Sequence, residues 1–192
     1  KNLYTSIRDV KNHGWNKPTG REINGKTLGI IGFGQIGKHL AQFAVGLGMK
    51  VLAYDVFEIP DEVAEQYHVT KATQDEIIEN SDFISLHVPL LDSTRDMIST
   101  NELKRMKKDA CLINAARGGI VNEKDLYEAL VNHEIRSACF DVYSDEPPKA
   151  DDPLVALDNF LLTPHTAARS KESERRTCEM SSQIVMEQLL GK

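Results

Sequence analysis

Three glycines at a fixed spacing constrain the fold of this chain more than any other feature. Leu28 to Ile31 forms an apolar run typical of a buried strand, and Gly32, Gly34 and Gly37 follow it directly. This is the G-x-G-x-x-G spacing. The first glycine permits a tight strand-to-helix turn, the second lets backbone approach a pyrophosphate, and the third lets helix and strand pack closely. The pattern therefore predicts a dinucleotide-binding turn.

An acid at the end of the next apolar run makes the prediction more specific. Val51 to Tyr54 is followed by Asp55, eighteen residues after the third glycine. A carboxylate at this position accepts hydrogen bonds from the hydroxyls of an adenosine ribose. It would also repel a 2′-phosphate, and Val56 to Ile59 contains no arginine or lysine that could receive one. We therefore expect NAD to be preferred over NADP.

Apolar runs alternate with helical patterns along the chain, which is typical of βαβ units around a parallel sheet. The predicted strands are 27–31, 50–55, 83–87, 110–114, 138–142 and 160–162, with a short one near Val69. The predicted helices are 1–13, 35–45, 75–79, 100–106, 123–132 and 168–190. Ser99 and Asn122 are expected to cap two of them. The predicted fold class is α/β, a doubly wound parallel sheet of the Rossmann type.

Composition and charge argue against several other classes of protein. The 192 residues include 23 Lys and Arg and 29 Asp and Glu, and the net charge of −6 disfavours nucleic-acid binding. No apolar run approaches the roughly 18 residues of a membrane span, and no signal peptide opens the chain. The cysteines Cys111, Cys139 and Cys178 form no pairwise framework. We expect reduced thiols, no metal site, no membrane partner and a cytoplasmic location.

Polar or small residues follow the predicted strands at their carboxyl ends, which is where doubly wound domains bind ligands. In chain order they are Val88 and Pro89, Ala115, Ala116 and Arg117, Asp141 with Glu146, and His165 with Ala167. A guanidinium matches a carboxylate and polarises a neighbouring carbonyl. A histidine donates and accepts protons near neutral pH, and a glutamate that contacts it orients the ring and favours its charged form.

Each of these residues also has an ordinary structural interpretation. Arg117 alone could be a surface salt-bridge partner, His165 a loop histidine and Glu146 a solvated turn acid. His87 stands inside a predicted strand and is expected to be structural. The set predicts a catalytic site because its members share the end of the sheet at which the glycine turn lies.

Six motifs in this order resemble the D-isomer-specific 2-hydroxyacid dehydrogenases. They are Gly29 to Gly37, Leu86 to Leu90, Ile113 to Val121, Phe140 to Val142, Glu146-Pro147 and Thr163 to His165, and they span roughly residues 20–170. Within the family, the double proline after Glu146 and the Arg-Gly-Gly-Ile-Val run most resemble D-3-phosphoglycerate dehydrogenases and hydroxypyruvate or glyoxylate reductases.

The resemblance implies a set of cofactor-binding residues. They are Gly32, Gly34, Gln35, Ile36, Gly37, Asp55, Val88, Pro89, Ala115, Ala116, Arg117, Asp141, His165 and Ala167. The backbone of Gln35 and Ile36 would hold the pyrophosphate, Asp55 the ribose, and Val88 the adenine side. Ala115 would flank the nicotinamide, and Asp141 would hydrogen-bond its carboxamide.

The resemblance also implies the catalytic residues Arg117, Glu146 and His165. Arg117 would bind the carboxylate and carbonyl of a small 2-oxo acid substrate, while His165 would exchange a proton with the substrate hydroxyl. Glu146 would orient His165. The implied reaction moves a hydride between NAD(H) and C2 of a 2-oxo or D-2-hydroxy acid.

Domain organisation and partners follow from the same resemblance. Because the chain starts at Lys1, without methionine and with a helix under way, we expect a piece of a longer protein. Residues 1–192 would form the NAD-binding domain, with 1–20 and 169–192 as crossover helices towards a missing substrate domain. We expect NADH binding with little turnover, and a homodimer through the nucleotide domain in which the helix at 1–13 and Gly14-Trp15 make contact.

Two alternatives stay open from the sequence. The same fold serves as a dinucleotide-sensing scaffold of the corepressor type, although the presence of Arg117, Glu146 and His165 together favours catalysis. A different oxidation on a similar domain is the other alternative. Formate enzymes of this family carry glutamine where Glu146 stands, which counts against formate oxidation. Phosphite oxidation stays open as an alternative.

Overall fold

A seven-stranded parallel sheet forms the centre of the computed structural model, which describes residues 2–191. Its strands are β1 (Thr27–Ile31), β2 (Lys50–Tyr54), β3 (Thr70–Lys71), β4 (Phe83–Leu86), β5 (Cys111–Asn114), β6 (Ser137–Phe140) and β7 (Phe160–Leu162). Their spatial order is β3-β2-β1-β4-β5-β6-β7. The order reverses between β1 and β4, so the predicted doubly wound Rossmann fold is confirmed.

Seven helices connect and flank these strands within the described part of the chain. They are α1 (Leu3–Lys11), α2 (Gln35–Gly46), α3 (Asp61–Gln66), α4 (Gln74–Asn80), α5 (Thr100–Arg105), α6 (Glu123–Val131) and α7 (Lys171–Leu190). The two predicted N-caps are confirmed: Ser99 forms a capping box with Glu102, and the Asn122 side chain accepts the Asp125 N–H. The first residue of the predicted helix at 1–13 lies outside the described residues.

The sequence prediction missed α3 and misplaced some strand ends. Helix α3 begins after Pro60 and has two acids in its first turn, but its six residues are too few to show a helical period. Strand β6 was predicted at 138–142 and ends at Phe140. The backbone N–H of Asp141 still donates to Asn114 of β5, and its side chain is held by the loop that follows β7.

The core has one apolar cluster on each face of the sheet. Successive strand residues point to opposite faces, so Ile30 packs with the side chains of α2 and α3, whereas Ile31 packs with those of α4 to α6. Both side chains are fully buried. Strands β1 and β4 are in register, with Ile31 opposite Leu86. Their carboxyl ends therefore open at the same level, at the point where the strand order reverses.

The two terminal helices contribute nothing to this core. No residue of α1 or α7 is buried. The large apolar side chains that they expose are Leu3, Tyr4, Ile7 and Val10 on α1, and Met180, Ile184, Val185, Met186, Leu189 and Leu190 on α7. Within residues 2–191, no helix has the length and apolar composition required to cross a membrane.

The three cysteines are all free. Cys111 and Cys139 lie on the neighbouring strands β5 and β6, with their Sγ atoms 3.9 Å apart, and Cys178 is exposed on α7. Cys111 is buried and Cys139 is half-buried.

Candidate active site

The glycine turn after β1 packs against the loop after β4. Gly32 has a φ of 97°, which favours glycine, and a Cβ there would lie 2.5 Å from the carbonyl oxygen of His87. A Cβ on Gly37 would lie 2.4 Å from the carbonyl oxygen of Gly32. Neither position has space for a side chain, so the turn and the start of α2 keep one close-packed geometry. Val88 lies against the same turn.

The space in front of α2 is open. Apart from its neighbours in the chain, no atom lies within 4 Å of the position that a Cβ on Gly34 would occupy, and Gln35 and Ile36 are exposed. The first N–H groups of a helix have no acceptor within the helix, and the helix dipole makes this end positive. An anion placed there meets several donors at once. The open space that a Cβ at Gly34 would fill therefore fits a pyrophosphate.

Asp55, at the end of β2, is held by two backbone N–H groups, one from the glycine turn and one from the loop that follows β2. Its Oδ2 accepts the Phe33 N–H at 2.7 Å, and its Oδ1 accepts the Phe57 N–H at 3.1 Å. A carboxylate has about four acceptor positions. Two are used by these backbone groups, so positions are left for the two hydroxyls of a ribose.

The loop after β5 is shaped by Asn114, to which the sequence prediction gave no role. Asn114 is buried; its Nδ2 donates to the Arg117 carbonyl at 2.9 Å, and its Oδ1 accepts the Ala116 N–H at 3.0 Å. A Cβ on Gly118 would lie 2.1 Å from the carbonyl oxygen of Tyr143, which places this loop against the loop after β6. The signal in the sequence that could have revealed this role was an amide side chain at the end of a buried strand.

Arg117 does not contact the other predicted catalytic residues. Its side chain is exposed, and its Nη1 donates to the carbonyl of Ala116 at 2.6 Å. Ala115 is exposed next to it, and Ala116 is half-buried. The guanidinium therefore lies over its own loop and uses one of its five N–H donors on this carbonyl.

Glu146 and His165 form a pair. Glu146 Oε2 lies 2.9 Å from His165 Nδ1, and Glu146 Oε1 accepts the Tyr143 N–H at 2.9 Å. A carboxylate can only accept, so Nδ1 carries the proton and Nε2 is left to exchange one. The hydrogen bond from the Tyr143 backbone, followed by that from His165, holds the pKa of Glu146 below its usual value.

Asp141 is the most enclosed acid of the site. Its Oδ1 accepts the Thr163 hydroxyl at 2.5 Å and the Thr166 N–H at 2.9 Å, and its Oδ2 accepts the Ala167 N–H at 2.7 Å. Burial acts to raise the pKa of Asp141, but these hydrogen bonds outweigh it and hold the pKa below its usual value. Asp141 is therefore a carboxylate at neutral pH.

A cavity of about 380 Å³ opens beside the pair. Its polar lining comes from Asp141, Glu146, Thr163 and His165. Its apolar walls are Val142, Tyr143, Pro147, Pro148, Leu162 and Pro164. The structure thus brings three of the predicted site residues to one cavity at the carboxyl end of β6 and β7.

His87 lies one residue beyond the end of β4, although the sequence placed it within the strand. Its Nε2 is 2.9 Å from the Ser85 hydroxyl, its backbone N–H donates to Ile31, and burial lowers its pKa. These contacts agree with the structural interpretation. Among residues 2–191, no group of three or more His, Cys, Asp or Glu side chains is arranged to hold a metal ion.

Comparison with known families agrees with this geometry. The model of the D-isomer specific 2-hydroxyacid dehydrogenase, NAD binding domain, matches residues 1–167. The D-3-phosphoglycerate dehydrogenase of Methanocaldococcus jannaschii is 40% identical over 195 residues, which is 100% of this chain and 37% of that protein. The hydroxypyruvate reductase of Thermotoga maritima is 40% identical over 171 residues, covering 87% of this chain and 55% of the relative.

Solved structures show the same similarity. The D-lactate dehydrogenase with NAD+ from Lactobacillus jensenii has a TM-score of 0.88 and 38% identity, over 100% of this chain and 62% of that one. The D-lactate dehydrogenase of Aquifex aeolicus, complexed with NAD and lactic acid, has a TM-score of 0.89 and 32% identity, again over 100% and 62%. The chain spans about a third to a half of the length of the curated relatives that it matches.

Proposed function

We propose that this chain, which belongs to the D-isomer specific 2-hydroxyacid dehydrogenase family through its NAD-binding domain, carries half of the active site of an NAD-dependent oxidoreductase. The reaction is hydride transfer between NAD(H) and C2 of a D-2-hydroxy acid or 2-oxo acid. The observation that supports it best is the 2.9 Å contact between His165 and Glu146, at the same end of the sheet as the glycine turn. A binding scaffold would not need an oriented proton donor there.

The binding part of the proposal uses the open glycine turn. The N–H groups at the start of α2 hold the pyrophosphate, and Asp55 holds the ribose by its remaining acceptor positions. Val88 and Pro89 line the adenine side, and Ala115 and Ala116 leave space for the nicotinamide ring. The charge of Asp55 favours NAD, since a 2′-phosphate would meet a carboxylate and no cation between Val56 and Ile59.

The catalytic part uses the cavity at β6 and β7. When bound, NADH supplies the hydride from C4 of its nicotinamide. His165 gives a proton from Nε2 to the substrate oxygen in reduction and takes it back in oxidation. Glu146 keeps the ring in one tautomer and one orientation. Its negative charge stabilises the imidazolium that forms during oxidation.

Arg117 and Asp141 orient the two reactants in this proposal. The Arg117 guanidinium leaves the Ala116 carbonyl and binds the substrate carboxylate, which polarises the neighbouring carbonyl. Asp141 has one acceptor position left on Oδ2 after its contact with Ala167, and this position accepts the carboxamide of the nicotinamide. The substrate class follows the relatives, which include phosphoglycerate dehydrogenases and hydroxypyruvate reductases.

The exposed terminal helices support a proposal on domain organisation. Residues 1–20 and 169–192 act as crossovers to a substrate domain, because α1 and α7 expose apolar side chains that bury nothing here. The nucleotide domains pair as a homodimer whose contact includes α1 and the Gly14-Trp15 segment, in which Trp15 is 77% exposed. The protein works in the cytoplasm on a small molecule, without nucleic-acid or membrane partners.

Two measurements test the proposed function. The intact protein is assayed with NADH against a panel of 2-oxo acids that includes hydroxypyruvate, glyoxylate and pyruvate, and NADH oxidation is followed by absorbance. NADH binding to residues 1–192 is followed by fluorescence. We expect binding by this chain with little turnover, and turnover by the intact protein. Absence of NADH binding, or vigorous turnover of hydroxypyruvate by residues 1–192 alone, would contradict the proposal.

A further inference from the structure

The backbone of His165 has an uncommon conformation. Its φ is 52°, in the left-handed region that few non-glycine residues adopt. The ring is half-exposed and is held by Glu146 at Nδ1, and the backbone N–H of His165 donates to the Thr163 carbonyl at 2.9 Å. The residues on either side of His165 are held by further contacts.

Asp141 supplies those contacts on both sides of His165. Two residues before it, the Thr163 hydroxyl donates to Oδ1 at 2.5 Å. One and two residues after it, the backbone N–H groups of Thr166 and Ala167 donate to Oδ1 and Oδ2 at 2.9 and 2.7 Å. The carboxylate is 8% exposed and lies at the end of β6, so it is itself fixed by the sheet. Three close donors from one five-residue loop converge on it, and the Thr166 hydroxyl lies farther away, at 3.4 Å.

We propose that Asp141 is a positioning residue that acts through the 163–167 loop: its carboxylate fixes the left-handed backbone of His165 and so sets Nδ1 against Glu146. The importance of Asp141 for catalysis rests on the proposed function. Its role in holding the backbone of the 163–167 loop does not depend on that function. A contact with the carboxamide would use only Oδ2. The contacts that hold the loop use Oδ1 as well, so the two roles can be separated by substitution.

Thr163 and Thr166 form a matched pair for the test. Both hydroxyls approach Oδ1 of Asp141, Thr163 at 2.5 Å and Thr166 at 3.4 Å. Thr163→Val removes the short contact, whereas Thr166→Val removes only the long one and leaves the backbone N–H in place. Thr163→Ser keeps a hydroxyl and should restore the contact. None of these variants changes a residue expected to touch the cofactor.

The measurement is the tautomer of the neutral His165 ring, read from its ¹⁵N chemical shifts in residues 1–192. We expect the Nδ1–H form in the original chain, in Thr166→Val and in Thr163→Ser. In Thr163→Val and Asp141→Asn, the ratio of Nδ1–H to Nε2–H should fall about tenfold, as expected when one charge-assisted contact is lost. Circular dichroism establishes whether each variant is folded. If Asp141→Asn is unfolded, Thr163→Val alone tests the positioning role.

The outcomes separate the inference from the function. An unchanged tautomer in folded Thr163→Val would overturn the positioning role. In the intact protein, Thr163→Val should lower kcat about tenfold and leave KM for NADH unchanged. Equal effects on kcat and on KM would count against the positioning role. If the intact protein turned over no 2-oxo acid while the tautomer still responded, the proposed function would fail and the positioning role would stand.

Discussion

Glu146 accepts a hydrogen bond from His165 with one carboxylate oxygen and from the backbone of Tyr143 with the other, each at 2.9 Å. Glu146 and Tyr143 lie in the loop that follows β6, and His165 lies in the loop that follows β7. The Tyr143 contact ties one oxygen of Glu146 to its own loop, and the other oxygen faces the imidazole. This arrangement preorganises the pair as a proton donor, and it leads to the first two predictions.

Replacing His165 by asparagine should separate catalysis from binding. Asparagine tolerates the left-handed backbone at this position better than most residues, so the loop should keep its shape. We expect turnover by the intact protein to fall about 10²- to 10⁴-fold, the usual contribution of a general acid. NADH affinity, measured by fluorescence, should change little. Small loss of turnover would favour the scaffold alternative.

Glu146→Gln should remove a pH-dependent contribution to stability. The pKa of Glu146 is lowered in the folded protein from the ordinary value of 4.5, so its stabilisation is present above that pH and is lost as pH falls through the lowered pKa. Thermal unfolding of both proteins is measured from pH 7 to pH 3. We expect the original chain to be the more stable at pH 7 and the difference to shrink below about pH 4.5. A difference that grows in acid would contradict the assignment.

Gly34→Val should abolish dinucleotide binding without loss of stability. The side chain would occupy the open space before α2, and the φ of −74° at Gly34 is accessible to valine. Gly46→Val is the matched control, because Gly46 lies at the other end of α2 and its Cβ position also has no atom within 4 Å apart from its own helix and chain neighbours. We expect NADH affinity to fall at least about 100-fold for Gly34→Val only, a loss of about 2.7 kcal/mol.

Val10→Asp should disrupt the proposed dimer. Val10 is 51% exposed on α1, where it adjoins other exposed apolar residues. Val131→Asp introduces the same charge at a residue that is 44% exposed at the end of α6, outside the proposed contact. Sedimentation of the intact protein should show a dimer that becomes monomeric with Val10→Asp and persists with Val131→Asp. A monomer in the unsubstituted protein would remove the idea.

Local chemistry made much of the fold predictable. The turn at Gly32, Gly34 and Gly37 depends on residues within one strand and one helix, and the helix caps at Ser99 and Asn122 bond groups three residues away. Buried strands such as β1 are continuous apolar runs because both faces of a parallel sheet are covered. These features need no knowledge of the rest of the chain. Helix α3 was not predicted, because six residues are too few to show a helical period of apolar residues.

The long-range contacts of the site could not be predicted in the same way. Asp141 meets donors 22 to 26 residues further along, and Glu146 meets His165 across 19 residues. The residue types predicted a proton donor and its partner, but not that Asp141 holds the loop, that Asn114 shapes the loop before Arg117, or that Arg117 lies on its own carbonyl.

The sequence by itself determined that the chain forms a parallel sheet with an anion-binding turn, since those features follow from short-range sterics and the period of apolar residues. Only the tertiary structure decided which carboxylate meets which donor. Parallel strands bring distant loops to one edge of the sheet, where the side chains that meet depend on register and loop path. Those two quantities are properties of the packed fold, and no local stretch of the sequence contains them.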